Sequence, residues 1–192
     1  MHKGAVMIRF WHGLAVAVAP LFVAGWALAG ATHEHGVARL DVAVDAGRVS
    51  IELDTPLDNL LGFERAPRTD AERDKATALV ARLRAAEALF RIDPAAGCTL
   101  AKVDLVSAPL DLGKAAAGVA AGAAVGAVSS DHSDLNGQFE FRCKNGARAG
   151  FVEVGLFDAF PALKRIELQV VTPRGQLKAT LRKPASRVML AR

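Results

Sequence analysis

Residues 32–36 read THEHG and residues 130–134 read SDHSD. The chain has five histidines, and three of them, His33, His35 and His132, stand in these two stretches beside Glu34, Asp131 and Asp134. Neutral imidazole nitrogen together with carboxylate oxygen is a donor set that suits Zn2+ in a tetrahedron. If an extended backbone reaches back over His33 and His35, both rings point to one side. They then stand about 6–7 Å apart at the Cα level, near enough to close on one ion. Taken alone, each stretch also fits a bland role, a frayed N-terminus in one case and a solvated loop in the other. A shared site requires the two stretches to be neighbours in space.

Other chemistries are poorly represented. There is no G-x-S-x-G, no H-E-x-x-H, no phosphate-binding loop and no dinucleotide-binding glycine pattern. Tyrosine is absent. A general base needs a positioned partner, and no pair of residues advertises one. Aspartates and glutamates fall mainly on the polar parity of alternating segments, as on a solvated face. The expectation is a protein that is not an enzyme.

The elements that must position the histidines start with an export signal. His2, Lys3 and Arg9 make a basic start, and no charge follows from Gly13 to Ala31. Ala27-Leu28-Ala29 and Ala29-Gly30-Ala31 are small-residue exits of the kind a signal peptidase cuts. The apolar run approaches the roughly 20 residues of a spanning helix, but Pro20 and the small-residue end favour cleavage. Residues 1–31 are read as a signal peptide, and THEHG becomes the exported N-terminus. No later stretch is long and apolar enough to span a bilayer, so no stable membrane span remains after cleavage. Of 24 lysines and arginines, Lys3 and Arg9 lie in this segment, so the mature chain carries 22 against 20 acidic residues. So slight an excess gives no reason to expect nucleic acid or an anionic membrane surface as a partner.

From Val37 the chain alternates. Ala38, Leu40, Val42 and Val44 share one parity, and after Asp45-Ala46-Gly47 so do Val49, Ile51 and Leu53, which predicts a β-hairpin with one wet face. Residues 57–63 read as irregular, with Leu57, Leu60, Leu61 and Phe63 available to cover an open end of the core. Thr69 and Glu72 form a capping box. From there Leu79, Val80, Leu83, Ala86 and Phe90 recur at helical spacing, predicting one amphipathic helix of about five to six turns. Residues 113–130 form an Ala/Gly low-complexity loop. Alternation returns in QFEFRC, FVEVGLF, IELQV and QLKATLR. The sum is about seven strands, mostly antiparallel: an α+β, mainly β, sandwich-like domain over residues 32–192, read as a monomer. Cys98 and Cys143, in an exported chain, read as a disulfide closing a loop of about 44 residues, worth roughly 4 kcal/mol on the chain-entropy model.

The combination HEHGVARLDVAVDAGRVSIELDTPLDNLLGFERAP, then HSD before F-x-F-x-C, then LFDAFPALKRIELQVVTPRGQ, resembles the ZrgA-like periplasmic proteins associated with zinc uptake in Gram-negative bacteria. The resemblance covers about residues 33–182 apart from the alanine loop. It implies a non-enzymatic periplasmic accessory protein that buffers Zn2+ or delivers it to an inner-membrane zinc importer or that importer's binding protein. Matched onto this chain, it carries over His33, His35, His132 and Asp134 as candidate ligands. Glu34 and Asp131 join them on chemistry alone. Glu64, in G-F-E, also matches but carries no assigned role. The family's loop before H-S-D is commonly rich in His, Asp and Glu, whereas here it is nearly pure Ala, Gly and Val with His132 its one histidine. That departure leaves a second expectation open, an exported protein-interaction module without a metal role, which a broad apolar patch near residues 57–63 would favour.

Overall fold

The hairpin forms where alternation places it. In a computed structural model that describes residues 34–113 and 133–190, β1 (Val37–Val44) pairs antiparallel with β2 (Arg48–Pro56), with Leu40 opposite Leu53 and Val42 opposite Ile51. The apolar parity is buried on both strands. Asp45 closes the turn, its N–H donating to the Arg48 carbonyl at 2.9 Å and its carboxylate 3.3 Å from the Arg48 guanidinium.

The capping box is present. Thr69 Oγ1 accepts from the Glu72 N–H at 3.2 Å, and Glu72 Oε2 accepts from the Thr69 N–H at 3.4 Å. Arg65 then grips the same carboxylate through both guanidinium arms, at 2.9 and 2.7 Å. The long helix that follows, Asp70–Arg84, buries Leu79 and Leu83. It is shorter than the periodicity predicts. Phe90 keeps helical spacing from Leu83, but it belongs to a short strand, Phe90–Ile92, and faces the Phe139 ring at 5.0 Å. Strand pairing to Val152 and Val154 overrides the local pattern. Residues 57–63, expected to be irregular, contain one helical turn.

In chain order the helices are α1 (Asp58–Leu61), α2 (Asp70–Arg84) and α3 (Leu156–Ala159). After the hairpin come β3 (Phe90–Ile92), β4 (Cys98–Val106), β5 (Asp134–Cys143), β6 (Phe151–Val154), β7 (Arg165–Thr172), β8 (Gly175–Arg182) and β9 (Arg187–Met189). The described strands make a six-stranded sheet, β4-β5-β2-β1-β7-β8, and a three-stranded sheet, β3-β6-β9. Inward residues of both sheets, among them Leu40, Ile51, Phe139, Ile166, Phe90 and Val152, join one core cluster. The expected mainly β, sandwich-like α+β class is the observed one. One pairing departs from the antiparallel rule: β1 runs parallel to β7, with Val37 opposite Arg165 and Leu40 opposite Leu168. Cys98 and Cys143 lie directly opposite across β4 and β5 and are joined by a disulfide. The described residues belong to one compact unit. The expected signal peptide and residues 114–130 of the expected Ala/Gly loop lie outside the described residues.

Two consequences are measurable. Replacing Cys98 and Cys143 together by Ser lowers the unfolding free energy by about 3–4 kcal/mol, read as an earlier urea midpoint under oxidising conditions; equal midpoints contradict it. The Arg65 guanidinium and the Arg68 N–H hold the Glu72 carboxyl down to about 2, below its ordinary 4.5. A carboxyl depressed in the folded state stabilises above its unfolded value and loses that contribution as pH falls toward the folded one. The stability of Glu72→Gln therefore falls less steeply than wild type between about pH 5 and pH 2, and parallel acid-denaturation curves would refute the linkage.

Candidate metal centre

One end of the large sheet carries the described residues of both stretches read for chemistry, Glu34 to Gly36 and Ser133 to Asp134. Pro56, the last residue of β2, lies opposite Asp134, the first of β5. One step further out, the Leu57 N–H donates to the Ser133 carbonyl at 3.0 Å. On the other flank of β2 the chain enters β1 through a turn, in which the Val37 N–H donates to the Glu34 carbonyl at 3.1 Å. Gly36 sits in this turn at φ 84°, a left-handed conformation that other residues adopt at a cost, and a Cβ there would meet the Lys164 side chain at 3.1 Å. β1 begins at Val37, so the strand does not reach back to His35, which lies in the turn.

Asn59 holds the turn in place. It is only 2 % exposed. Its Oδ1 accepts from the Gly36 N–H at 2.5 Å, and its Nδ2 donates to the Val37 carbonyl at 2.9 Å and to Thr55 Oγ1 at 3.0 Å. The Gly36 carbonyl accepts from the Lys164 and Arg165 N–H groups at 2.8 and 3.0 Å, which carries the turn onto the start of β7.

The turn sends Glu34 and His35 to different partners. Glu34 goes to Arg165, whose Nη2 lies 2.7 Å from Glu34 Oε2. That bond, opposed by desolvation and helped by Glu167, raises the guanidinium above its ordinary value. His35 goes to α1 and the segment behind it. Its Nδ1 lies 3.4 Å from Asp58 Oδ2 and its Nε2 lies 3.2 Å from Glu64 Oε1, with the ring itself 68 % exposed. Asp58 is the first residue of α1, between Leu57 and Asn59, both buried. Glu64 follows Gly62, which ends α1 at φ 82° and turns the chain back toward residue 35.

Of the six ligand candidates, the structure describes Glu34, His35 and Asp134. His33, Asp131 and His132 lie outside the described residues. Asp134 is buried at 3 % exposed. Asp58 escaped the sequence reading, and Glu64 was noticed without a role. The available signal was the stretch LDNLLGFE, where polar residues interrupt an apolar run and a glycine allows the reversal. Among the described residues no three His, Cys, Asp or Glu side chains form a group that could hold a metal ion. His35 with Glu64 offers one nitrogen and one oxygen.

Elsewhere, the outer face of the large sheet forms a cleft of about 720 Å³ that includes Asp41, Glu52, Glu140, Lys102 and Lys178. Burial, Asp41 and Asp54 push the Glu52 carboxyl up. At residues 57–63, where an apolar patch would favour an interaction module, Leu57 is buried, Leu60 and Leu61 are partly buried against the core, and Phe63 is half-buried with Arg65 over its ring.

Replacing Asn59 by Ala leaves the Gly36 N–H without its acceptor and the Val37 carbonyl with only the longer contact from Thr55 Oγ1, at 3.5 Å, of its two side-chain donors. A loss of about 2–3 kcal/mol is expected, with faster hydrogen exchange at the Gly36 amide; an unchanged denaturation midpoint would contradict the role given to Asn59.

Compared with curated proteins, the chain has no match. The family model described as "ZrgA family zinc uptake protein" matches residues 32–190. A match over that span takes in the hairpin, the His35 turn, α1 and α2 and both sheets, and the chain belongs to the ZrgA family of zinc uptake proteins.

Proposed function

We propose that this chain is a periplasmic, non-enzymatic accessory protein that binds Zn2+ as cargo and buffers it or passes it to an inner-membrane zinc importer or that importer's binding protein. The observation that carries the reading is the gathering of motifs at one end of β5, β2 and β1. The His35 imidazole stands between Asp58 and Glu64, and the next residue back from Asp58, Leu57, is hydrogen-bonded to Ser133. His132 directly precedes Ser133 in the chain, and His33 precedes Glu34. Glu34 and His35 lead into β1 and Ser133 and Asp134 into β5, with β2 between them, so one ion shared by the two stretches would have to be reached from both flanks of β2.

Export is supported by the layout of residues 1–31 and by the disulfide, a bond that persists in oxidising compartments. Among the described residues no helix is long and apolar enough to cross a membrane. The exposure of His35 fits cargo better than a structural ion, because structural zinc sites are closed four-ligand cages that retain their metal.

The test is a calorimetric zinc titration of the chain from Thr32 onward at about pH 7.5, where an ordinary imidazole is neutral. A variant with His33, His35 and His132 all replaced by Ala runs beside it. The expected outcome is sub-micromolar binding near one equivalent, abolished in the variant. An absence of heat in both proteins would sink the zinc reading and move attention to the cleft on the outer face of the large sheet.

A further inference from the structure

On the outer face of the large sheet, rows of side chains run across the strands. In one row Asp104 lies opposite Gln138, Gln138 opposite Glu52, Glu52 opposite Asp41, Asp41 opposite Gln169 and Gln169 opposite Lys178. In the next, Lys102 lies opposite Glu140 and Glu140 opposite Ser50. These rows floor the cleft of about 720 Å³. Asp41 and Glu52 work against the fold here. Residues directly opposite across an antiparallel pair hold their Cβ atoms about 4.5–5.5 Å apart, and like charges so placed destabilise a sheet. Burial first, then Asp41 and Asp54, push the Glu52 carboxyl up, so added positive charge is favoured at this floor. The lysines do not cancel the effect. Lys102 is engaged chiefly by Asp104, and Lys178 stands on β8, beyond Gln169.

We propose that this cleft is a docking surface for an extended, lysine- or arginine-bearing segment of a partner protein, laid across the strands over Gln138, Glu52, Asp41 and Gln169. Charge complementarity carries the choice of occupant. The lining holds four carboxylates, Asp41, Glu52, Asp104 and Glu140, against Lys102 and Lys178, in a chain whose lysines and arginines outnumber its acids 24 to 20. A concave surface lined by one sign of charge concentrates the opposite sign. The dimensions fit as well. Six strands at a spacing of about 4.8 Å span about 24 Å, which an extended chain of about seven residues covers. Every second side chain of such a segment points at the floor. The amides of Gln138 and Gln169 and the Ser50 hydroxyl can pair with its backbone. The floor's own backbone is committed to the ladders, so recognition is by side chains and not by strand addition. Among the described residues the aromatic ring in the lining is Phe139, buried at 1 % exposed, so no ring face is on offer for stacking a base. None of these residues is a candidate zinc ligand, and the proposal does not depend on the zinc reading.

The test is fluorescence anisotropy of a labelled peptide of about nine residues, alternating lysine and serine, titrated with the chain from Thr32 onward. A metal chelator is present throughout, so zinc plays no part in the outcome. A peptide with glutamate in place of lysine is the control, and urea denaturation checks each variant. The expected result is saturable binding of the basic peptide that weakens with salt, and none of the acidic one. Asp41→Asn and Glu52→Gln each weaken it about threefold to tenfold. Both variants unfold at the same or a higher urea concentration, because an opposed like-charge pair is relieved. Asp74→Asn, the same loss of charge on the exposed side of α2, leaves the affinity unchanged. Failure of the basic peptide to saturate overturns the proposal. So does an Asp74→Asn effect equal to that of Glu52→Gln, which would make the attraction diffuse. A lower urea midpoint for both cleft variants would show that the two carboxylates serve the fold, and overturns it too. If free spermine binds where the peptide does not, the cleft takes a small cation and the assignment to a protein segment is overturned.

Discussion

The buried carboxamide of Asn59 is the constraint on which the functional end of the molecule depends. A side chain with two donors and an acceptor is costly to bury unless its capacity is used. Here it is used on backbone at the entry to β1, outside the β1–β2 ladder. The Gly36 N–H lies beyond the β1–β2 ladder, which pairs residues from Arg39 and Asp54 inward. Asn59 supplies the missing acceptor and ties Val37 to Thr55. With that end closed, Gly36 can take its left-handed turn and present its carbonyl to the start of β7. The parallel pairing of β1 with β7, the direction of His35 and the placement of Glu34 on Arg165 all follow from this one junction.

Electrostatics then sort the two acid–histidine neighbours of the motif. Arg165 stands between Glu34 and Glu167, so the Glu34 charge is already answered by a cation that does not leave. Among the described residues His35 faces two carboxylates, Asp58 and Glu64. Adjacent residues in one turn thus have opposite characters, one completing a structural ion pair and the other leaving an electronegative opening. Reading H-E-H as a single cluster of three donors missed this division, because sequence spacing says nothing of what stands opposite each side chain.

What was legible and what was not divides along the range of the interactions. Alternation in VARLDVAV and RVSIELD marked the hairpin and its inward face, since a period of two is a local property. The Thr69–Glu72 box was legible for the same reason, and the cysteine pair because export and an even count narrow the options. The end of α2 was misjudged because Phe90 satisfies the helical period and only its pairing with Val154, far along the chain, shows it to be a strand residue. The parallel register of Val37 with Arg165 has no local trace at all. Asp58 and Glu64 were hidden in the same manner. Neither is near His35 in sequence, and the reversal at Gly62 that brings Glu64 back is a backbone event.

The composition of residues 113–128, nearly all Ala, Gly and Val with no histidine, bears on what kind of zinc protein this is. A loop rich in imidazole and carboxylate takes up several ions weakly, through donors that rearrange freely. On the proposed reading, uptake without such a loop falls to side chains positioned by folded backbone, at the end of β5, β2 and β1. Such a site gains selectivity because its donors are held apart at set distances, but it loses capacity. On the proposed reading, this chain has moved from storing zinc toward presenting one ion at a time. The observed arrangement suits that: the imidazole of His35 is exposed and the adjoining Gly36 N–H is held by Asn59. On that reading, a partner protein with stronger donors approaches the exposed side of the ring while the core beneath it remains undisturbed.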